Sequence, residues 1–141
     1  MLARRGQLGA VRVAVTDRAG GVSAPPYESL NLADHVGDEP AAVTGNRARV
    51  AGALGVDRQQ LVWMHQVHGR EVAVVDHPAT VPPTADALIT TLAGLVLGVL
   101  VADCVPLLLA DPVRGIAAAV HVGRRGLVAG VVPAVLATLR T

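Results

Sequence analysis

The spacing of apolar and polar residues changes along this chain, and with it the predicted structure. Val11-Arg12-Val13-Ala14-Val15-Thr16 alternates for part of its length and predicts a strand. Residues 17–27 follow, where Gly20-Gly21 and Pro25-Pro26 predict turns, and then the polar stretch Glu28-Ser29-Leu30-Asn31-Leu32. Asp38 is the expected N-cap of a helix that starts at Glu39-Pro40 and runs to about Leu54. Proline is tolerated in a first turn, carboxylates favour the positive end of the dipole, and Gly55 supplies the stop. From Leu61 onward the pattern turns to short runs rich in Val, Ile, Leu and Ala. Strands are predicted over 61–68, 71–75, 85–90, 95–102, 105–110 and 115–121. Two of them, 95–102 and 116–120, are apolar on both faces and are expected as central strands covered on both sides. Residues 126–141 predict a final helix, with Pro133 kinking or breaking it. There is no internal repeat, low-complexity tract or linker, so residues 1–141 are expected to form a single domain.

Composition narrows the partners. The hydrophobic fraction is 52%, yet Phe is absent and Trp and Tyr occur once each, so the core must be built from Val, Ala and Leu. Side chains this small need more packed layers to bury the same area. Twelve basic and eleven acidic residues leave a net charge of +1, with no basic stripe interleaved with aromatics. A small-molecule partner is expected rather than a nucleic acid. Met1-Leu2-Ala3-Arg4-Arg5 leads into Gly and Gln rather than the apolar stretch of a secretory signal. The longest apolar run, 92–102, contains two glycines and is too short to span a bilayer. A cytoplasmic location without membrane contact is therefore the expectation.

Candidate chemistry centres on Cys104, the single cysteine, with His68 lying 36 residues before it and His121 lying 17 after it. Each ends an apolar, strand-like run, so the three can converge at one edge of a sheet, where open sheets commonly build sites. Within a strand, His65 and His68 would point to opposite faces, which removes His65 from the set. Two imidazoles and a thiolate suit zinc or copper, and three protein ligands leave the open position typical of a catalytic site, where bound water becomes acidic. Asp103 is then a candidate general base or supporting group, and equally a cap for a turn. Without a metal, Cys104 as nucleophile and His121 as base would make a thiol hydrolase. An inert buried cysteine and structural histidines are the remaining reading. His35 and His77 fall in loops with no evident partner, and five histidines are too few for a full multicopper oxidase set.

Six runs carry a resemblance: S-L-N-L-A-D-H-V-G-D-E-P (29–40), N-R (46–47), W-M-H-Q-V-H-G (63–69), A-D-A-L-I-T (85–90), A-D-C-V-P-L-L-L (102–109) and A-A-A-V-H-V-G-R-R-G (117–126). In this order, over nearly the whole chain, they resemble the YfiH-like family, also called the laccase-domain or purine nucleoside phosphorylase family. The resemblance implies an α+β fold, a layered mixed β-sheet flanked by helices in an αββα sandwich. It implies a zinc ion on His68, Cys104 and His121, with copper as the alternative metal. The implied activities are phosphorolysis of purine nucleosides, adenosine deamination and methylthioadenosine cleavage; some members are described as copper polyphenol oxidases. Arg47 and Arg125 are then candidate cations for phosphate, Cys104 and Asp103 candidate catalytic groups, and Asn31 a residue that orients substrate or holds a turn. Two departures stand out. Arg124 occupies the position of the family's usual tryptophan, and members continue into a further G-P-x-I-containing half, so a C-terminally truncated domain is expected. Such a half-fold would expose an apolar face or a free strand edge. Self-association, a covering partner, or an inactive family member are the corresponding expectations.

Overall fold

The computed structural model describes residues 1–78 and 81–140, and the chain divides into two compact units. The first comprises Met1–Gln7 and Arg12–Arg58, and the second Leu8–Val11 and Gln59–Thr141.

In the first unit, β1 (Leu2–Leu8) and β2 (Val11–Thr16) form a two-stranded sheet, and α1 (Pro40–Leu54) follows a long loop. β2 matches its predicted bounds. β1 escaped the pattern because Arg4 and Arg5 interrupt any alternation, and nearly the whole strand is exposed. α1 also begins and ends as expected, with Gly55 in the left-handed conformation at φ 71°. Its N-cap is Glu39 rather than Asp38, and no side chain caps it. The Asp38 carboxylate is drawn away by the loop, accepting from the Ser23 hydroxyl at 2.6 Å and the Asn31 amide at 3.0 Å. These two bonds, Ser23 first, hold its carboxyl below the usual range against a smaller opposing effect of desolvation.

The loop between β2 and α1 is organised by Asn46, which is fully buried. Its amide donates to Ser23 Oγ and to the carbonyls of Ser29 and Asn31, and its oxygen accepts from the Val22 N–H. A residue from the helix thus supplies the partners that the irregular loop backbone would otherwise lack.

The second unit is built on a four-stranded mixed sheet. β3 (Leu61–Val62) belongs to a separate pair, while β4 (Val72–Val74), β5 (Ala87–Thr90), β8 (Ile116–Val122) and β7 (Val105–Asp111) lie side by side in that order. β4 and β5 are parallel, whereas β5–β8 and β8–β7 are antiparallel. The predicted central strand over 116–120 is borne out, since β8 is interior and mostly buried. Pro106 cannot donate to a ladder, and it sits on β7 at the sheet edge.

Two predicted strands are much shorter than expected. The 61–68 strand stops at β3, and the 95–102 strand reduces to β6 (Val96–Leu97), which pairs with β3 in parallel and is half-buried rather than central. Beyond β3 the backbone N–H groups of Val67, His68 and Gly69 turn onto a carboxylate instead of a neighbouring strand. With no strand left beside it, Leu100 pairs through both its N–H and C=O with the side-chain amide of Gln66, at 2.8 Å each.

Both faces of the mixed sheet are covered. Ala87, Ile89, Ala118 and Val120 pack with Val131 and Val135 on one side, while Leu88 joins Val62, Met64 and Val75 on the other. The extra layers expected of a core without Phe are these two clusters. The final helix divides into α2 (Arg124–Ala129) and α3 (Val131–Arg140) at Gly130, which is left-handed at φ 90°. The break therefore falls at Gly130 and not at Pro133. Pro133 is the third residue of α3, where its missing N–H has no intrahelical partner to lose. The α+β architecture with mixed sheets stands as predicted. Among the described residues no helix is long and apolar enough to cross a membrane.

Candidate metal centre

Three segments of the second unit meet at one end of the sheet. His121 lies near the end of β8, where its N–H donates to the Asp86 carbonyl at 2.8 Å and its ring enters the interior, leaving the residue 2% exposed. Cys104 lies immediately before β7. His68 lies in the turn after β3 with φ 59°, a left-handed conformation that non-glycine residues rarely adopt.

Asp86, directly before β5 and fully buried, ties two of these segments together. Its carboxylate accepts the N–H groups of Val67 at 3.3 Å, His68 at 2.9 Å and Gly69 at 2.7 Å, and lies 2.8 Å from His121 Nδ1. Burial alone would raise its pKa, but His121 and the three backbone N–H groups outweigh it and hold the carboxyl below its usual range.

The Cys104 sulfur is 3.9 Å from His68 Nε2 and 3.7 Å from Asp103 Oδ1. The rings of His68 and His121 meet edge to face, with centroids 4.7 Å apart. Burial pushes the Cys104 thiol up, and the negative charge of Asp103 adds to it, so the surroundings favour a cation over a second anion.

Glycines allow this convergence. A Cβ on Gly123 would stand 2.8 Å from His68 Cδ2, 3.2 Å from Cys104 Sγ and 3.5 Å from His121 Cε1. One on Gly126 would stand 2.7 Å from the Gly69 carbonyl oxygen, so α2 can approach the His68 turn only without side chains there. We expect Gly123→Ala to stay folded, because φ −79° and ψ 161° suit alanine. Its methyl group should weaken metal binding by about tenfold or more, as read by competition with a chromophoric chelator. Unchanged affinity would mean that the three side chains do not converge on a shared ion.

The donor set suits a borderline-soft metal ion. Each of His68, Cys104 and His121 offers one ligand atom, and these atoms all lie within 4.8 Å of one another. Ligands bonded at about 2.0–2.3 Å to a tetrahedral zinc sit roughly 3.3–3.8 Å apart, so side-chain adjustment suffices to bring all three onto one ion. Among the described residues this is the one such group.

The other predicted site residues are placed as follows. Asp103 is exposed beside Cys104, and Arg125 is exposed in the first turn of α2, next to Arg124. Asn31 and Arg47 belong to the first unit. Asn31 accepts from the Ala33 N–H two residues on and donates to Ala33 O and Asp38, so its side chain holds a turn. Arg47 donates to the Leu32 carbonyl and pairs with Asp34 at 3.2 Å. His65 is exposed, and its backbone bridges to Thr84. Asp86 was not singled out from the sequence, although it stands in the A-D-A-L-I-T run. A carboxylate heading an otherwise apolar run that is buried on both faces was the available signal.

A family described as multi-copper polyphenol oxidoreductase laccase matches residues 12–141. The chain belongs to that family. Family relatives include the purine nucleoside phosphorylase of Streptomyces coelicolor, 58% identical over 136 residues, which are 95% of this chain and 56% of the relative. That of Mycobacterium tuberculosis is 54% identical over 133 residues, 91% of this chain and 53% of the relative. Among solved structures, YlmD from Geobacillus stearothermophilus superposes with a TM-score of 0.87 at 33% identity, covering 91% of this chain and 51% of that one. A Neisseria meningitidis family protein gives 0.86 at 34% identity, covering 98% and 57%. The chain spans about half the length of the relatives it matches.

Proposed function

We propose that this chain contributes the metal centre of a zinc-dependent purine nucleoside phosphorylase, which converts a nucleoside and inorganic phosphate into free base and ribose 1-phosphate. Adenosine deamination and methylthioadenosine cleavage are proposed at the same centre, and the cytoplasm as its location. The observation that carries the reading is the convergence of His68, Cys104 and His121, together with relatives named purine nucleoside phosphorylase at 54–58% identity. A zinc ion held by these residues supplies a Lewis acid that polarises an oxygen ligand. In phosphorolysis a phosphate oxygen bonds to the ribose anomeric carbon while the bond to the base nitrogen breaks, its electron pair leaving with the base, which takes up a proton. Asp103 beside Cys104 is the proposed proton carrier. Arg125, exposed in the first turn of α2, is the proposed phosphate cation.

The test is made on the purified protein. Metal analysis should find about one zinc per chain, and adenosine or inosine should release base only when phosphate is present. A chelator should abolish release, and added zinc should restore it. Copper in place of zinc, with oxidation of a phenol and no base release, would instead support the polyphenol oxidase reading. Metal-free protein that turns over nucleoside would overturn both.

A further inference from the structure

Asp86 has no hydrogen to give when ionised, and both of its oxygens are committed to the two histidine segments. Oδ1 accepts the His68 N–H and faces His121 Nδ1, while Oδ2 accepts the N–H groups of Val67 and Gly69. We propose that Asp86 is a positioning residue that sets both histidine ligands at once, holding the left-handed turn that aims His68 and fixing His121 with its proton on Nδ1 and its lone pair on Nε2. The inference rests on the metal-centre reading above.

The His68 half follows from backbone geometry. A non-glycine residue keeps a positive φ only where its surroundings over-determine it, and three consecutive N–H groups converging on one carboxylate do so. The His121 half follows from donor and acceptor counting. Facing an acceptor-only group, Nδ1 must carry the proton, which leaves Nε2 as the ligand atom. One buried charge therefore serves two ligands that are 53 positions apart in sequence (121 − 68).

Asparagine at this position cannot reproduce the pattern. If its NH₂ replaced Oδ2, it would face the Val67 and Gly69 N–H groups, donor against donor. If it replaced Oδ1, it would face the His68 N–H, and it would find an acceptor at His121 only by moving that ring's proton to Nε2, which blocks the ligand lone pair.

The experiment compares wild type with Asp86→Asn by long-range ¹H–¹⁵N correlation of the histidine rings in metal-free protein, and by zinc affinity in chelator competition. Wild-type His121 should carry its proton on Nδ1. The variant should shift towards the Nε2–H form and bind zinc about 10–100-fold more weakly. A wild-type His121 protonated on Nε2, or a variant with unchanged tautomer and affinity, would overturn the proposal. If wild type binds no metal, the metal-centre reading fails, while the two tautomers still decide what Asp86 does. If the variant does not fold, the wild-type tautomer is joined by amide exchange. Slow exchange at His68 and Gly69 supports the clamp, and fast exchange there overturns it.

Discussion

Cys104→Ala is expected to strip the protein of bound metal and of nucleoside turnover while leaving it folded. Cys104 belongs to neither of the buried clusters that cover the sheet, so truncating it removes little packing. What it removes is one of the three proposed ligands. Structural zinc sites with four ligands bind with about 10–16 kcal/mol, or roughly 3 kcal/mol per ligand, so affinity should fall by more than about a hundredfold. Metal content after gel filtration and phosphate-dependent base release are the measurements. A variant that retains a stoichiometric metal ion and wild-type turnover would remove the metal centre from the mechanism. Loss of turnover in this variant does not by itself separate the metal reading from a thiol hydrolase in which Cys104 attacks with His121 as base. Both lose activity on truncation, but only the metal enzyme is silenced by a chelator, and only the thiol enzyme is silenced by iodoacetamide on metal-free protein. One observation weighs against His121 as the base of a thiol enzyme: the imidazole that the Cys104 sulfur meets, at 3.9 Å, is that of His68.

Asn46→Ala should produce the largest loss of stability of any single truncation in the first unit. The side chain makes four hydrogen bonds in a fully buried position. Alanine would leave the Val22 N–H and the Asn31 carbonyl without these partners, and the Ser29 carbonyl with the Ser23 N–H alone, at about 1–3 kcal/mol for each buried group left unsatisfied. A net cost of about 3 kcal/mol or more is expected in urea unfolding followed by circular dichroism. Asn46→Asp should be no better, since it keeps the acceptor for Val22 but turns three donated bonds into a charge facing oxygen atoms. A cost below about 1 kcal/mol would show that water replaces the lost partners.

Much of the candidate metal centre is legible because it depends on residue type. A lone cysteine and two histidines at the ends of apolar runs were enough to nominate the trio, and the structure brings them together. The route to that convergence was different. Strand alternation makes His68 a strand end and points His65 to the opposite face. In the structure residues 66–68 belong to no strand, and exposed His65 makes only an isolated bridge to Thr84. Asp86 went unnoticed because its partners lie 17 to 19 and 35 positions away, at separations no periodic pattern encodes. Pro133 is the stronger local signal for a kink or break in the final helix. Gly130 won because its left-handed turn ends α2, whereas Pro133 falls where a helix tolerates it.

By itself the sequence determined the elements whose cause is local. α1 is bounded by Pro40 and Gly55, β2 and β8 follow their own apolar patterns, and the ligand types are present in the chain whatever its fold. Tertiary structure alone decided where β3 and β6 stop, the left-handed turn at His68, and the burial of Asp86 between that turn and His121. The physical reason is competition for backbone hydrogen bonds. Leu61 to His68 carries enough apolar residues for a strand, but a buried carboxylate from another segment takes the N–H groups of Val67, His68 and Gly69, and that acceptor exists only once the chain has folded around it.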